Sequence, residues 1–168
     1  MRAMRPITES DIRSSFVNCS KGEAKRLGLP ADLAEQPWQD LDFLGWRDPG
    51  APDRGYVVAE REDGGLVGIA LRAVKGAARG FASRSMCSLC LTVRTGGGVA
   101  LMSARRTGEA GRLGNTVGQY LCSDLACSLY TRGRKETAGG DFEETLTVQE
   151  RVARTRDNLT SFIAKVVA

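Results

Sequence analysis

Four of the five cysteines fall in two close pairs, Cys87-Ser-Leu-Cys90 and Cys122-Ser-Asp-Leu-Ala-Cys127, with 31 residues between them. Each pair is short enough to sit on one tight turn that points both sulfurs inward. Two such turns brought together are the donor set of a tetrahedral Zn²⁺ site. The stretch between them is punctuated by glycines and reads as strands, so a hairpin can carry one turn to the other. Cysteine pairs also serve as disulfides, as redox C-x₂-C motifs or as plain core thiols. The N-terminus, Met1-Arg-Ala-Met-Arg-Pro6, enters polar sequence with no apolar signal core, and no apolar run approaches the ~20 residues of a membrane span. That places the chain in the cytoplasm, where thiols stay reduced and disulfides are disfavoured. Nothing thioredoxin-like surrounds the C-x₂-C. Zinc is the reading that uses all four, and with protein sulfur at every position the ion is structural rather than catalytic. Cys19 has no partner and reads as a buried thiol.

The order of elements around the cysteines gives the zinc site a shape. A knuckle, a β-hairpin and a second ligand pair at a helix start make a treble clef, and a helix N-terminus favours thiolate. Helix starts are legible elsewhere too. Thr8 with Asp11 and Ser20 with Glu23 are caps with an acid three residues on, Ile7 can staple onto Ile12, and Gly28 and Pro30 close the second helix. Thr147-Val-Gln-Glu150 opens the longest helix, on which Val148, Val152, Leu159, Phe162, Ile163 and Val166 recur at helical spacing. Trp38, Leu41, Phe43, Leu44 and Trp46 read as core packing ahead of a turn-rich stretch, Asp48 to Asp53. Gly55–Arg61 and Leu66–Arg72 read as a hairpin about Glu62-Asp-Gly-Gly65. A second hairpin is expected between Leu91–Arg94 and Val99–Arg105 about Gly96-Gly-Gly98. Loops are expected at Lys75–Ser85 and Thr107–Asn115, a strand at Thr116–Leu121, a short helix from Ser123 to Tyr130, and a polar linker at Lys135–Asp141. The fold class is α+β: a small antiparallel sheet with flanking helices and a Cys₄ treble-clef zinc finger. Residues 1–36 form an N-terminal helical segment packed on a body of residues 37–168. That body holds the finger (84–135) and the C-terminal helix (147–167), and the whole reads as one compact unit.

Charge is distributed unevenly. Residues 72–135 hold eleven Lys and Arg against two acids, a formal +9, while the thirteen bases and eighteen acids elsewhere leave −5. Four thiolates with Zn²⁺ contribute −2 and reduce the segment to +7. A local excess of this size steers a protein towards acidic surfaces or RNA. The candidate contact residues are Arg94, Arg105, Arg106 and Arg112 on the hairpin and its loop, with Tyr120, Tyr130, Arg132, Arg134 and Lys135 around the finger helix. The chain contains no histidine, which removes Ser-His-Asp, Cys-His and His-metal mechanisms. The glycine-rich stretches match neither a P-loop nor a dinucleotide fingerprint. With the metal site closed, the chain reads as a non-enzymatic binding protein with no small-molecule substrate.

Four segments together, Phe16-Val-Asn-Cys-Ser-Lys-Gly-Glu23, Leu41-Asp-Phe-Leu-Gly-Trp46, Ser85-Met-Cys-Ser-Leu-Cys90 and Gly118-Gln-Tyr-Leu-Cys122 through Cys127, carry a family resemblance. The chain resembles the elongation-factor-G-binding proteins of the fusidic-acid-resistance type in their C-terminal treble-clef zinc-finger domain, and most resembles the short actinobacterial FBP-domain members. The resemblance implies zinc on the four cysteines and a finger face that docks on elongation factor G, with release of the factor from the drug-stalled ribosome in the resistance proteins. Those proteins carry a longer helical region before this domain than residues 1–36 here. Direct binding of rRNA or other nucleic acid by the basic finger is the alternative. Its phosphate contacts need only Lys and Arg, though aromatic stacking platforms are scarce.

Overall fold

A computed structural model describes residues 4–74, 85–94, 97–136 and 145–168. Its elements in chain order are α1 (Glu9–Ser15), α2 (Lys21–Arg26), β1 (Phe43–Asp48), β2 (Ala51–Glu60), β3 (Leu66–Ala73), β4 (Ser85–Met86), β5 (Val93–Arg94), β6 (Val99–Arg105), α3 (Gly108–Arg112), β7 (Thr116–Cys122), α4 (Cys127–Thr131) and α5 (Val148–Val167). Two 3₁₀ turns, Leu33–Glu35 and Trp38–Asp40, lie between α2 and β1.

Local capping sets where helices begin. The Thr8 hydroxyl accepts from the Asp11 N–H at 3.1 Å, and the Asp11 carboxylate accepts from the Thr8 N–H at 2.9 Å. Thr147 and Glu150 make the same reciprocal pair at α5, both bonds at 3.1 Å. Ser20 accepts from the Glu23 N–H at 3.1 Å and starts α2. Each cap satisfies an N–H that the first helical turn cannot, worth about 1 kcal/mol.

The sheet order is β1-β2-β3-β6-β7, with every neighbour antiparallel. Side chains alternate between two layers, as the period of a strand requires. Phe43, Val57, Ile69, Met102 and Leu121 face Leu159, Phe162 and Val166 of α5, together with the four zinc-pair cysteines. Leu44, Trp46, Tyr56 and Val58 face Ile7, Ile12, Leu27 and Trp38. The aromatic cluster is therefore core, as expected, but β1 splits it between the two layers. Burying each large apolar side chain contributes about 1.5–3 kcal/mol, and both layers draw on this.

β3 and β6 pair only through Leu71–Ala73 and Met102–Ala104. Where they part, the chain after α1 takes the gap. Phe16 bridges Gly68 in parallel, and the Val17 N–H reaches the Gly68 carbonyl at 3.0 Å. The buried Asn18 amide donates to the carbonyls of Ala70 (2.9 Å) and Arg105 (3.1 Å) and accepts from the Ala70 N–H (2.8 Å). Gly68 is required here, since a Cβ on it would sit 2.5 Å from Ser15 Oγ.

Several expectations need correction. β5 pairs with β4, Ser85 opposite Arg94 and Met86 opposite Val93, rather than with β6. The hairpin partner of β6 is β7, from Val99 opposite Cys122 to Arg105 opposite Thr116. The first cysteine turn draws β4 and β5 into their own ribbon, which leaves Gly97 and Gly98 in a connection between sheets. The turn-rich stretch before β2 is shorter than expected, because Ala51 already belongs to the strand. The glycine-rich Thr107–Asn115 holds helix α3, and Gly111 is needed there because a Cβ would overlap the Arg106 carbonyl oxygen at 1.7 Å. Val148 is 43 % exposed, since the first turn of α5 extends past the body it packs on. The expected loop at 75–84 and the linker beyond Glu136 lie outside the described residues.

Candidate metal centre and its basic surroundings

The first cysteine pair lies in the turn between β4 and β5. Cys122 ends β7, and Cys127 is the first residue of α4. All four side chains are buried, and their sulfurs lie within 4.8 Å of one another. Cys87 and Cys127 Sγ are 3.7 Å apart, and Cys90 and Cys122 Sγ 3.5 Å. Zn–S bonds of about 2.3 Å in a tetrahedron place the sulfurs about 3.8 Å apart. A disulfide requires about 2.05 Å. The donor set fits one zinc ion and no disulfide.

Both turns close on a leucine in the left-handed region, Leu91 and Leu125, each at φ 58°. That conformation costs a residue with a side chain about 1 kcal/mol or more, and it persists where the surroundings over-determine it. Here the Leu91 N–H bonds the Cys87 carbonyl and the Leu125 N–H bonds the Cys122 carbonyl, both at 2.9 Å. The Leu89 N–H points at Cys87 Sγ (3.4 Å), and the Thr92 hydroxyl lies 3.1 Å from Cys90 Sγ, where it can donate to a thiolate. Neighbouring elements hold the knuckle. The Ser88 N–H bonds the Tyr120 carbonyl at 2.7 Å. From α5, Asn158 donates to the Leu89 carbonyl (2.9 Å) and Arg154 to the Cys90 carbonyl (3.3 Å).

The thiols cannot titrate independently. Hydrogen bonds from the sulfurs of Cys122, Cys127 and Cys90 hold Cys87 well below its ordinary value. Cys127 is pushed well above its own by the bonds it gives to Cys122, Cys87 and Cys90. Protons shared among buried sulfurs mark a place where one cation can replace them all.

The nine candidate contact residues divide by position and by state. Arg105 ends β6, Arg106 follows it directly and Arg112 ends α3, whereas Cys122 pairs with the opposite end of β6. Six residues of strand separate the two ends, roughly 20 Å at about 3.4 Å per residue. Arg94, Tyr130, Arg132, Arg134 and Lys135 share the zinc end with Tyr120.

Arg94 is only 6 % exposed, and its guanidinium lies 3.9 Å over the Tyr130 ring and donates to the Gly98 carbonyl at 2.8 Å. This corrects its expected place on a contact surface. The Tyr130 hydroxyl and Lys135 Nζ both bond Asp124, each at 2.6 Å. Arg132 is mostly turned inward, its side chain 14 % exposed. It grips the buried Asp42 carboxylate with both terminal nitrogens (2.8 and 2.9 Å), and Arg156 of α5 adds a third bond at 3.0 Å. The Asp42 N–H completes the link to α4 through Ser128 Oγ at 3.0 Å. Arg134 is mostly exposed beside Asp40 (3.5 Å), and Arg112 is exposed beside Glu109 (3.8 Å). Asp42, Asp124, Thr92 and Asn158 are functional supports that sequence reasoning did not single out, because nothing local joins Asp42 to Arg132, 90 residues away.

Cys19 is half-buried, and burial, with Glu23 adding and Arg105 opposing, pushes its thiol up to about 11. It stays neutral at physiological pH. Among the described residues no helix is long and apolar enough to cross a membrane.

A knuckle on a short ribbon, a β-hairpin, and a helix start that supplies the second cysteine pair define a treble-clef zinc finger with one structural Zn²⁺ held by Cys87, Cys90, Cys122 and Cys127. The chain belongs to the FBP C-terminal treble-clef zinc-finger family, whose model matches residues 11–166. Its fold is similar to that of a solved structure titled "Structure of the fusidic acid resistance protein FusC", with a TM-score of 0.63 and 16 % sequence identity. That match covers 98 % of this chain and 60 % of the other, so the chain spans less than two thirds of that protein's length. A comparison with curated protein sequences finds no match.

Proposed function

We propose that the protein is a non-enzymatic, cytoplasmic zinc-finger adaptor that binds translation elongation factor G at the ribosome, in the manner of a fusidic-acid-resistance protein. Membership of the FBP treble-clef family carries this reading. The chemistry of the site agrees with it: zinc with four sulfur ligands keeps no position for water or substrate. The metal then serves to fix the orientation of α4 and the residues after it. On this reading Arg134 and Lys135, 65 % and 46 % exposed, present the basic face to an acidic partner, with the Tyr130 ring 5.6 Å from Lys135 Nζ and Tyr120 of β7 as a further candidate. Arg94 and Arg132 position that face from behind, and Arg105, Arg106 and Arg112 belong to a separate end of the molecule.

Binding of the purified zinc-loaded chain to purified elongation factor G, measured by biolayer interferometry at moderate salt, tests the proposal. Arg134→Glu/Lys135→Glu is expected to weaken binding at least tenfold, and Arg105→Glu/Arg106→Glu by less than threefold. Zinc content and melting temperature verify that each variant is folded. If wild type does not bind the factor, or if both variants bind as wild type does, the proposal fails. Retention on ribosomal RNA alone that falls steeply with salt would favour direct nucleic-acid binding instead.

A further inference from the structure

The face of the sheet turned away from the zinc carries a second concentration of charge. Arg54 on β2 stands directly opposite Arg72 on β3, and Arg72 directly opposite Ser103 on β6. Arg105, two residues along β6 on the same face, stands opposite Thr116 of β7. Directly opposed positions lie about 5 Å apart and diagonal ones about 7–8 Å, so three guanidiniums share one small area. All three arginines are exposed. Among the described residues none of the three guanidiniums makes a hydrogen bond or ion pair.

These residues line a cleft of about 290 Å³, walled on one side by the chain between α1 and α2. Among the described residues Glu23 is the only carboxylate lining it. Cys19, also in the wall, stays a neutral thiol and adds no charge. The cleft is therefore formally +2.

Like charges placed directly across a strand pair are destabilising, and among the described residues no hydrogen bond or ion pair relieves the Arg54–Arg72 pair. A dianion between them would. Three forked donors and the hydroxyls of Ser103 and Thr116 exceed what the two oxygens of a carboxylate can accept. They match the three or four oxygens and double charge of a phosphate group, which arginine binds bidentately. The volume lies at the lower end of small-molecule sites. It leaves room for the phosphate and little more than one attached ring.

We infer that Arg54, Arg72 and Arg105, with Ser103 and Thr116, form a phosphate-binding cleft on the sheet face opposite the zinc. The phosphate belongs either to a free phosphorylated small molecule or to the backbone of an RNA strand crossing the sheet. The cleft stands independently of elongation-factor binding, since only Arg105 lies in the basic segment's candidate set and it is remote from the finger end.

The test uses the full zinc-loaded chain at low salt, with inorganic pyrophosphate followed by calorimetry and a fluorescein-labelled twelve-nucleotide RNA followed by anisotropy. Arg54→Gln/Arg72→Gln is expected to weaken pyrophosphate binding at least tenfold with a melting temperature equal to or above wild type, because the like-charge contact is gone. Arg134→Gln/Lys135→Gln is expected to leave it unchanged. RNA bound more tightly than pyrophosphate, and lost in the same variant, assigns the phosphate to nucleic acid; RNA bound no better assigns it to a free phosphate ester. As a check that needs no substitution, the arginine Nε–H signals of the wild type shift on titration with pyrophosphate. Absence of saturable pyrophosphate binding, an unimpaired Arg54→Gln/Arg72→Gln variant, or tighter binding of an acidic peptide than of either phosphate probe would overturn the inference.

Discussion

A buried thiolate is costly alone, and four of them at mutual distances of 3.5–4.8 Å cannot coexist without a cation. The ion therefore supplies folding free energy as well as geometry, on the order of 10 kcal/mol for a structural zinc site. This is comparable to the whole stability of a typical domain, about 5–15 kcal/mol. Cys87→Ser and Cys122→Ser each remove one ligand and leave three thiols beside the core that also contains Leu121 and Phe162. Either variant is expected to be insoluble or partly unfolded and free of zinc. In the wild type, elemental analysis should find one zinc per chain, and a strong chelator should lower the melting temperature. Metal-free wild type whose melting curve a chelator leaves unchanged would refute the zinc assignment. The same scale separates arginines that look alike in sequence. Arg132 holds the buried Asp42 carboxylate, whereas Arg134 is mostly exposed beside Asp40. Losing a partner of a buried ion pair costs about 3–5 kcal/mol, and an exposed pair rarely exceeds 1.

Elements were legible where their signals are local. The Thr8, Ser20 and Thr147 caps act over three residues, and each marks a real helix start. Both cysteine pairs are equally local, and they meet in space. Strand pairing is not local, and a glycine run such as Gly96–Gly98 fits a hairpin turn or a passage between sheets equally well. The knuckle decides the matter by pairing β4 with β5. The Arg54–Arg72 pair could have been found, because the Glu62–Gly65 turn fixes the β2–β3 register that sets them opposite. The docking of residues 16–18 along β3 had no such signal, yet it ties the N-terminal helices to the sheet. We propose that residues 1–36 and the body therefore fold as one unit, and Gly68 tests this. Gly68→Ala places a methyl 2.5 Å from Ser15 Oγ and 3.1 Å from Phe16 Cδ1. Overpacking of this kind costs about 1–3 kcal/mol, so a single cooperative transition is expected to move down in temperature as a whole. Ser15→Gly in the same chain removes the obstructing hydroxyl and should restore part of the loss. If the two regions melted separately by calorimetry, the single-unit reading would be wrong.

Across the whole molecule, several carboxylates are held in ionised form by donors from the fold. Burial alone would raise Asp48, but the N–H groups of Gly28, Gly50 and Ala51 and the Tyr56 hydroxyl outweigh it, and its carboxyl lies below its ordinary value. These bonds join the end of β1 to the segment after α2 and to β2, with Gly28 at 3.0 Å and Tyr56 at 2.7 Å. Asp11 and Glu150 are lowered too, by the backbone and hydroxyl of the threonines they cap. A carboxyl depressed in the folded state binds its proton more readily once unfolded, so it contributes stability above the ordinary carboxylate value. That contribution is lost as pH falls from there through the folded value. Protonation of the cysteines releases zinc in the same direction, so acid destabilisation alone does not separate the two causes. Asp48→Asn does, because it removes the titration and leaves the metal site untouched. The variant is expected to melt lower at neutral pH, by about 5 °C if it loses 1–3 kcal/mol of charge-assisted hydrogen bonding. Its melting temperature should then decline less between about pH 5 and 3 than that of the wild type, while zinc release followed with a chromogenic chelator keeps the same pH midpoint in both. Parallel curves for the two proteins would mean that Asp48 has no part in acid sensitivity, which then lies with the metal site and the other depressed carboxyls.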